Sequence, residues 1–300
     1  MKSLKGIFPA LLTPFERSGR VDEENLRKLV SVNIGRGVDG FYACGSTAEA
    51  FLLTIEERKR ILEIVVGEVA GRVPVICHIG AIGTDLSIDL GKHAAASGAD
   101  AVSSIPPFYY KFSGEEVICY YRDIADAIDL PVIPYNFPAL SGVTLTGDLI
   151  RRLREHPRIV GVKFTSNDLF QLERMKKDDP ELIVYNGFDE IFLAGFSMGA
   201  DGAIGSTFNF MPEKFLGIRK RLLAGDLAGA RVFQDQANEV IQALVETGKL
   251  LNAQKYLVGL QGIPCGDCRR PFLPLTDEDK TKLEKVARRC LELPGSTKAR

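Results

Sequence analysis

Ile159-Val160-Gly161-Val162-Lys163-Phe164-Thr165 is a short, apolar, β-branched run with one lysine near its end. His156-Pro157 lies just before it and Ser166-Asn167 directly after it, so the stretch reads as a strand buried on both faces. An ammonium ion is costly to keep in such surroundings, and a lysine there tends to lose its proton and become a nucleophile. That points to imine chemistry. The alternative is a lysine at the strand mouth, its stem packed on neighbours and its head in water.

Similar runs recur on both sides of this one. Gly6 to Leu12, Val38 to Ala43, Val73 to Ile79, Ala99 to Ile105 and Leu130 to Tyr135 precede it; Leu182 to Tyr185 and Gly202 to Gly205 follow. Amphipathic stretches with helix signals separate them. Glu23 to Ile34 carries Leu26, Leu29, Val30 and Ile34 at helical spacing and ends at Gly35. Thr54-Ile55-Glu56-Glu57 is a capping-box pattern, Asp85 to Ser97 closes at Gly98, Ser113-Gly114-Glu115-Glu116 opens the next helix, and Thr146 to His156 stops before Pro157. The unit is strand, loop, helix. About eight such units with doubly buried strands predict an α/β fold, a (β/α)8 TIM barrel, in preference to a doubly wound sheet.

From Glu213 the pattern is helical, through Phe215 to Leu223, then Ala228 to Leu250, then Asp277 to Leu293. The expected division is a barrel over residues 1–212 and a helical extension over 213–300 packed on it or used in oligomer contacts, with a frayed tail from Ser296 to Arg300.

Composition fits an ordinary soluble chain of 300 residues, 45% hydrophobic and 26% charged. A net charge of -1 lacks the basic excess that phosphate-backbone binding requires, so no nucleic acid partner is expected. The amino terminus offers neither a signal h-region with a cleavage site nor a membrane span, and a cytoplasmic protein with no membrane partner is expected. The six cysteines read as reduced thiols. Cys265-Gly266-Asp267-Cys268 has redox or half-zinc spacing, but neither a second such pair nor a histidine cluster accompanies it. The three histidines are scattered and read as structural.

In a barrel of this kind, chemistry gathers at the carboxyl ends of the strands. Gly45-Ser46-Thr47-Ala48-Glu49 follows the second strand, where hydroxyls and backbone amides at a turn suit a carboxylate, or serve as an ordinary helix cap. Pro106-Pro107-Phe108-Tyr109-Tyr110 follows the fourth and Tyr135-Asn136-Phe137-Pro138 ends the fifth. A dehydrated phenol near an imine lysine can move a proton, and either tyrosine can instead be a core ring. Asn136 and Pro138 read as turn residues. Asn186-Gly187-Phe188-Asp189-Glu190 ends the seventh strand and Gly205-Ser206-Thr207 the eighth. Their carboxylates suit a metal, a helix amino terminus or substrate hydroxyls, and without histidines nearby a polyhydroxylated ligand fits better than a metal.

Taken together, Gly45 to Glu49, Tyr135 to Pro138, Gly161 to Thr165 and Gly199 to Ser206 closely resemble the dihydrodipicolinate synthase and N-acetylneuraminate lyase superfamily of class I aldolases. The resemblance spans nearly the whole chain and implies the barrel, the carboxy-terminal helices and a homotetramer. Leu140 stands where the synthases carry an arginine for a second carboxylate, so Tyr135 to Val143 looks like the lyase branch. So does Tyr185 to Phe192. The resemblance then implies a Schiff-base aldolase that cleaves a nine-carbon sugar acid to pyruvate and an acylated amino sugar, with these small molecules as its partners. Lys163 would form the imine, Tyr135 would take the C4 hydroxyl proton, and Tyr109 would complete a proton relay. Ser46 and Thr47 would hold the keto-acid carboxylate, Thr165 would position substrate, and Gly187, Asp189, Glu190 and Ser206 would contact the hydroxylated tail. No metal or organic cofactor is implied, because the lysine is the electron sink. Ala48 departs from the family's usual glycine, and its methyl either alters the turn or is accommodated.

Three other readings fit fewer of these residues. Another pyruvate aldolase acting on a 2-keto-3-deoxy sugar acid would share Lys163 and Tyr135 and differ in the tail-binding residues. A keto-acid-binding barrel without activity would have little use for the lysine, phenol and hydroxyl pair. A redox or zinc protein would be built on Cys265 and Cys268.

Overall fold

The computed structural model describes residues 2–291. Its eight strands are β1 (Gly6–Pro9), β2 (Phe41–Ala43), β3 (Val75–His78), β4 (Ala101–Ser104), β5 (Val132–Asn136), β6 (Gly161–Phe164), β7 (Ile183–Asn186) and β8 (Gly202–Gly205). All pair in parallel in the order β1-β8-β7-β6-β5-β4-β3-β2. A bridge between Ala10 and Tyr42, with Leu11 N–H donating to the Tyr42 carbonyl at 2.9 Å, brings the two edges together. The sheet therefore closes on itself, and its helices surround it as a (β/α)8 TIM barrel.

Four full-length helices follow the first four strands: α1 (Glu23–Gly35), α2 (Ile55–Val69), α3 (Thr84–Ser97) and α4 (Gly114–Ala127). The capping box expected at Thr54 forms, and Ser113 makes a second one at the helix start expected there, each hydroxyl accepting from the backbone of the glutamate three residues on. Gly98 closes α3 in the left-handed conformation. A single turn, α5 (Pro138–Ser141), comes after β5, then α6 (Gly147–Leu153), capped by Thr146. Next come α7 (Leu169–Asp178) and α8 (Phe192–Ser197), and after β8 the chain is helical among the described residues: α9 (Pro212–Leu223), α10 (Leu227–Glu246), α11 (Leu250–Leu260) and α12 (Asp277–Cys290).

Two differences from the sequence reading matter. The run from Ala228 to Leu250 is not one helix: α10 ends at Glu246, Gly248 takes a φ of 63°, and the chain re-enters as α11. The final helix stops at Cys290, while the expected end at Leu293 and the tail from Ser296 lie outside the described residues.

Strand alternation divides the core in two. Phe8, Tyr42, Ile76, Ala101, Ile133, Tyr185 and Ile204 fill the barrel interior, with Phe8 and Tyr185 edge to face at 5.6 Å. Outward-facing residues such as Val162, Phe164 and Val184 pack with the helices, in a cluster that also takes in Phe215, Val240, Leu257 and Leu283 from the carboxy-terminal elements. That second cluster seats α9 to α12 against the barrel, and α11 reaches its carboxyl end.

Candidate active site

In β6, Val162 and Phe164 face the helices, so the period of two turns Lys163 inward. It pairs in register with Tyr135 on one side and Tyr185 on the other. Lys163 is 5% exposed, with Nζ 4.0 Å from the Tyr135 ring centroid and 4.3 Å from that of Tyr42. A lysine with its head group in bulk water is therefore not what the strand holds. Burial brings its pKa down to about 7, against a smaller upward pull from Asp189. Near neutral pH much of the amine is free to act as a nucleophile.

The Tyr135 phenol is buried too, which pushes its pKa above the usual tyrosine range, and the Thr165 and Ser46 hydroxyls facing it draw it partly back. Thr165 Oγ1 faces the phenol without a hydrogen bond of ordinary geometry, an unsatisfied buried hydroxyl beside the reacting centre. Gly187 makes room for it: a methyl there would collide with Thr165 Oγ1.

Ser46 and Thr47 stand on a 3-10 turn, Ser46–Ala48, that follows β2. The left-handed residue of this turn is Glu49, with φ 62° and ψ 34°, so the Ala48 methyl is accommodated without unusual backbone. Across the barrel mouth, Asp189 Oδ2 accepts from Thr207 N–H at 2.9 Å and from Thr207 Oγ1 at 2.7 Å. Burial raises its pKa to about 6 despite those two bonds. Glu190 beside it is exposed, and Ser206 Oγ accepts from Gln254 Nε2 at 2.9 Å.

These groups line one cavity of about 510 Å³. Every expected site residue except Tyr109 borders it: Ser46, Thr47, Tyr135, Lys163, Thr165, Gly187, Asp189, Glu190 and Ser206. Tyr109 lies apart from the others. It is 83% exposed, has a φ of 78° and stacks edge to face on Tyr110 at 5.0 Å, outside the cavity of its own chain. Leu140 lines the cavity with an apolar side chain and is 60% exposed.

The sequence reading missed the wall supplied from beyond residue 213. Leu244, Lys249, Leu251, Gln254 and Phe272 also border the cavity. Helical periodicity identifies buried faces there but carries no sign of which face meets the barrel mouth; Gly248, breaking the run, is the available signal. Tyr42, whose ring lies under the lysine, is in sequence only one more residue of a strand.

The remaining candidates are structural. His78 is held by Cys44 O at Nδ1, 3.1 Å, and accepts from Ile105 N–H at Nε2, 3.2 Å, which fixes a neutral ring. Cys265 and Cys268 are buried, and burial pushes both thiols up to about 12, where they are poor nucleophiles. Among the described residues no three His, Cys, Asp or Glu side chains converge as a metal site, and no helix is long and apolar enough to cross a membrane.

The family model described as the dihydrodipicolinate synthetase family matches residues 3–290. The N-acetylneuraminate lyase of Salmonella typhimurium is 44% identical over 292 residues, covering 97% of this chain and 98% of its own. The crystal structure of CdNal from Clostridium difficile in complex with mannosamine superposes with a TM-score of 0.94 at 37% identity, over 97% of this chain and 100% of that one. A sialic acid aldolase from Ruminococcus gnavus, solved as a catalytic lysine mutant, gives a TM-score of 0.92 at 32% identity, over 96% and 97% of the two chains.

Proposed function

The chain belongs to the dihydrodipicolinate synthetase family, and on that premise we infer that it is a carbon–carbon lyase, a class I aldolase cleaving N-acetylneuraminate to N-acetylmannosamine and pyruvate. The observation that carries this reading is the Lys163 amine, buried inside the cavity with a pKa near 7 and in contact with the Tyr135 ring. The name of the Salmonella relative supports the substrate, and the lysine of the Ruminococcus aldolase supports the mode of catalysis.

In the proposed mechanism the Lys163 Nζ lone pair adds to the C2 ketone of the open-chain sugar acid, and the carbinolamine, taking up one proton from solvent, loses water to leave a protonated imine. Ser46 and Thr47 hold the carboxylate. Tyr135 takes the C4 hydroxyl proton while passing its own toward Ser46, which suits a phenol that burial keeps protonated at rest. The C4–O electrons form the aldehyde, the C3–C4 pair moves to C3, and the imine nitrogen accepts the electrons as an enamine. The proton passed toward Ser46 returns through Tyr135 to C3, and water then hydrolyses the imine to release pyruvate and the free Lys163 amine. Asp189, Glu190, Ser206 and the close approach at Gly187 are assigned to the hydroxylated tail, and Thr165 to substrate positioning.

Tyr109 lies outside the cavity of its own chain, and we assign it to the relay as a residue contributed by a neighbouring copy in the homotetramer we propose. We also propose a cytoplasmic location, and a division at residue 212 between the barrel and a helical extension that completes the cavity rim. Leu140 disfavours a substrate with a second carboxylate, since an apolar side chain leaves that charge unpaired. Pyruvate release measured over a panel of N-acetylneuraminate and 2-keto-3-deoxy sugar acids tests the assignment. The acylated nine-carbon substrate should turn over fastest; faster turnover of a shorter keto-deoxy acid would reassign the enzyme to a sister pyruvate aldolase.

A further inference from the structure

Directly after the carboxylate turn, Glu49 is buried with its side chain against another charge. Its Oε1 lies 2.6 Å from Lys255 Nζ of α11, and the two side chains are 0% and 1% exposed. The Phe15 ring packs against the pair, its centroid 4.1 Å from Lys255 Nζ. Glu49 Oε2 accepts from Arg269 N–H at 2.7 Å, and the Arg269 side chain reaches the Leu52 carbonyl at 3.0 Å and pairs with Glu57.

A buried ion pair is a weak source of stability, because both charges must shed water and an apolar pair of like volume often serves as well. What this pair does supply is geometry. Glu49 is a non-glycine residue in the left-handed region, a conformation its surroundings must impose. Its N–H donates to Ser46 O at 3.1 Å, so the backbone of Glu49 closes the turn that presents Ser46 and Thr47 to the cavity. On the other side, Thr13 Oγ1 donates to Ala48 O at 2.9 Å. Charge matters as well, since an uncompensated carboxylate at residue 49 would repel an anion held by residues 46 and 47.

We propose that Lys255 is a positioning residue: through Glu49 it sets the turn that binds the keto-acid carboxylate, tying α11 to the pyruvate end of the cavity. The preceding residue, Gln254, holds Ser206 at the tail end, so successive residues of one helix address opposite ends of the ligand. The inference rests on Ser46 and Thr47 binding that carboxylate.

The test is borohydride trapping of pyruvate on the full chain as a function of pyruvate concentration, in wild type and in the charge-free double variant Glu49→Gln/Lys255→Met. The double variant should stay folded, trap pyruvate on Lys163 at saturation about as fast as wild type, and require about tenfold more pyruvate for half-saturation, the scale of losing one hydrogen bond to the carboxylate. Should it fail to fold, Lys255→Met alone, which keeps the Glu49 acceptor for Arg269 N–H and leaves its carboxylate uncompensated beside the turn, should move the half-saturation in the same direction. Unchanged half-saturation in a variant that has lost only thermal stability would make the pair merely structural and overturn the inference. A wild-type chain that traps no pyruvate at Lys163 would instead overturn the aldolase reading, and this inference with it.

Discussion

Burying Lys163 lowers the ordinary amine pKa of 10.5 to about 7, so holding that nitrogen protonated in the barrel costs roughly 5 kcal/mol, stability given up for reactivity. The folded-state value is the lower of the two, so between pH 7 and 10.5 the unfolded chain binds the extra proton and stability rises with pH across that window. Lys163→Met should therefore melt above wild type at pH 6, with the advantage shrinking toward pH 10 in thermal melts; an advantage independent of pH would mean that the amine is not strained by burial. Tyr135→Phe should still trap pyruvate but lower kcat about 10²- to 10⁴-fold, the usual worth of a general acid–base group, and full turnover would remove the phenol from the mechanism. Lysine and tyrosine are both legible in sequence, because each sits at the end of a doubly buried run where a polar group needs a reason. Tyr109 is harder to place, since a strand-end position puts a residue at the rim but does not say on which side of a loop it projects.

Among the elements, β strands are easier to read than the helices that follow them. Gly187 at the end of β7 is required by contact: Gly187→Ala would push on Thr165 and should destabilise the chain by about 1–3 kcal/mol, a change checked by chemical denaturation. The contribution of α11 is marked in sequence only by Gly248, because Ala228 to Leu250 otherwise continues a helical period and nothing local says that Gln254 faces the cavity. Gln254 Nε2 occupies an acceptor site of Ser206 Oγ and leaves the serine proton available for a substrate hydroxyl. Gln254→Met keeps the volume and removes the bond, so KM for the full sugar acid should rise about fivefold, the worth of one net hydrogen bond, while pyruvate trapping stays as in wild type. Equal effects on both would place Gln254 in general packing.

Across the whole molecule, the barrel supplies the chemistry and the carboxy-terminal helices complete the vessel that contains it. Eight strand signals with intervening helices are enough to reach the closed sheet, since the alternation of doubly buried runs and amphipathic stretches leaves few other architectures. The way α9 to α12 return to the barrel mouth depends on long-range packing of Phe215, Val240 and Leu257 into the outer core, which no local period encodes. The proposed chemistry stands on one covalent bond. Pyruvate and borohydride, followed by peptide mass mapping across pH 5 to 9, should place a reduced pyruvyl group on Lys163, with a rate that climbs through about pH 7 as the amine loses its proton; an unmodified Lys163 peptide, or an adduct on any other lysine, would contradict it.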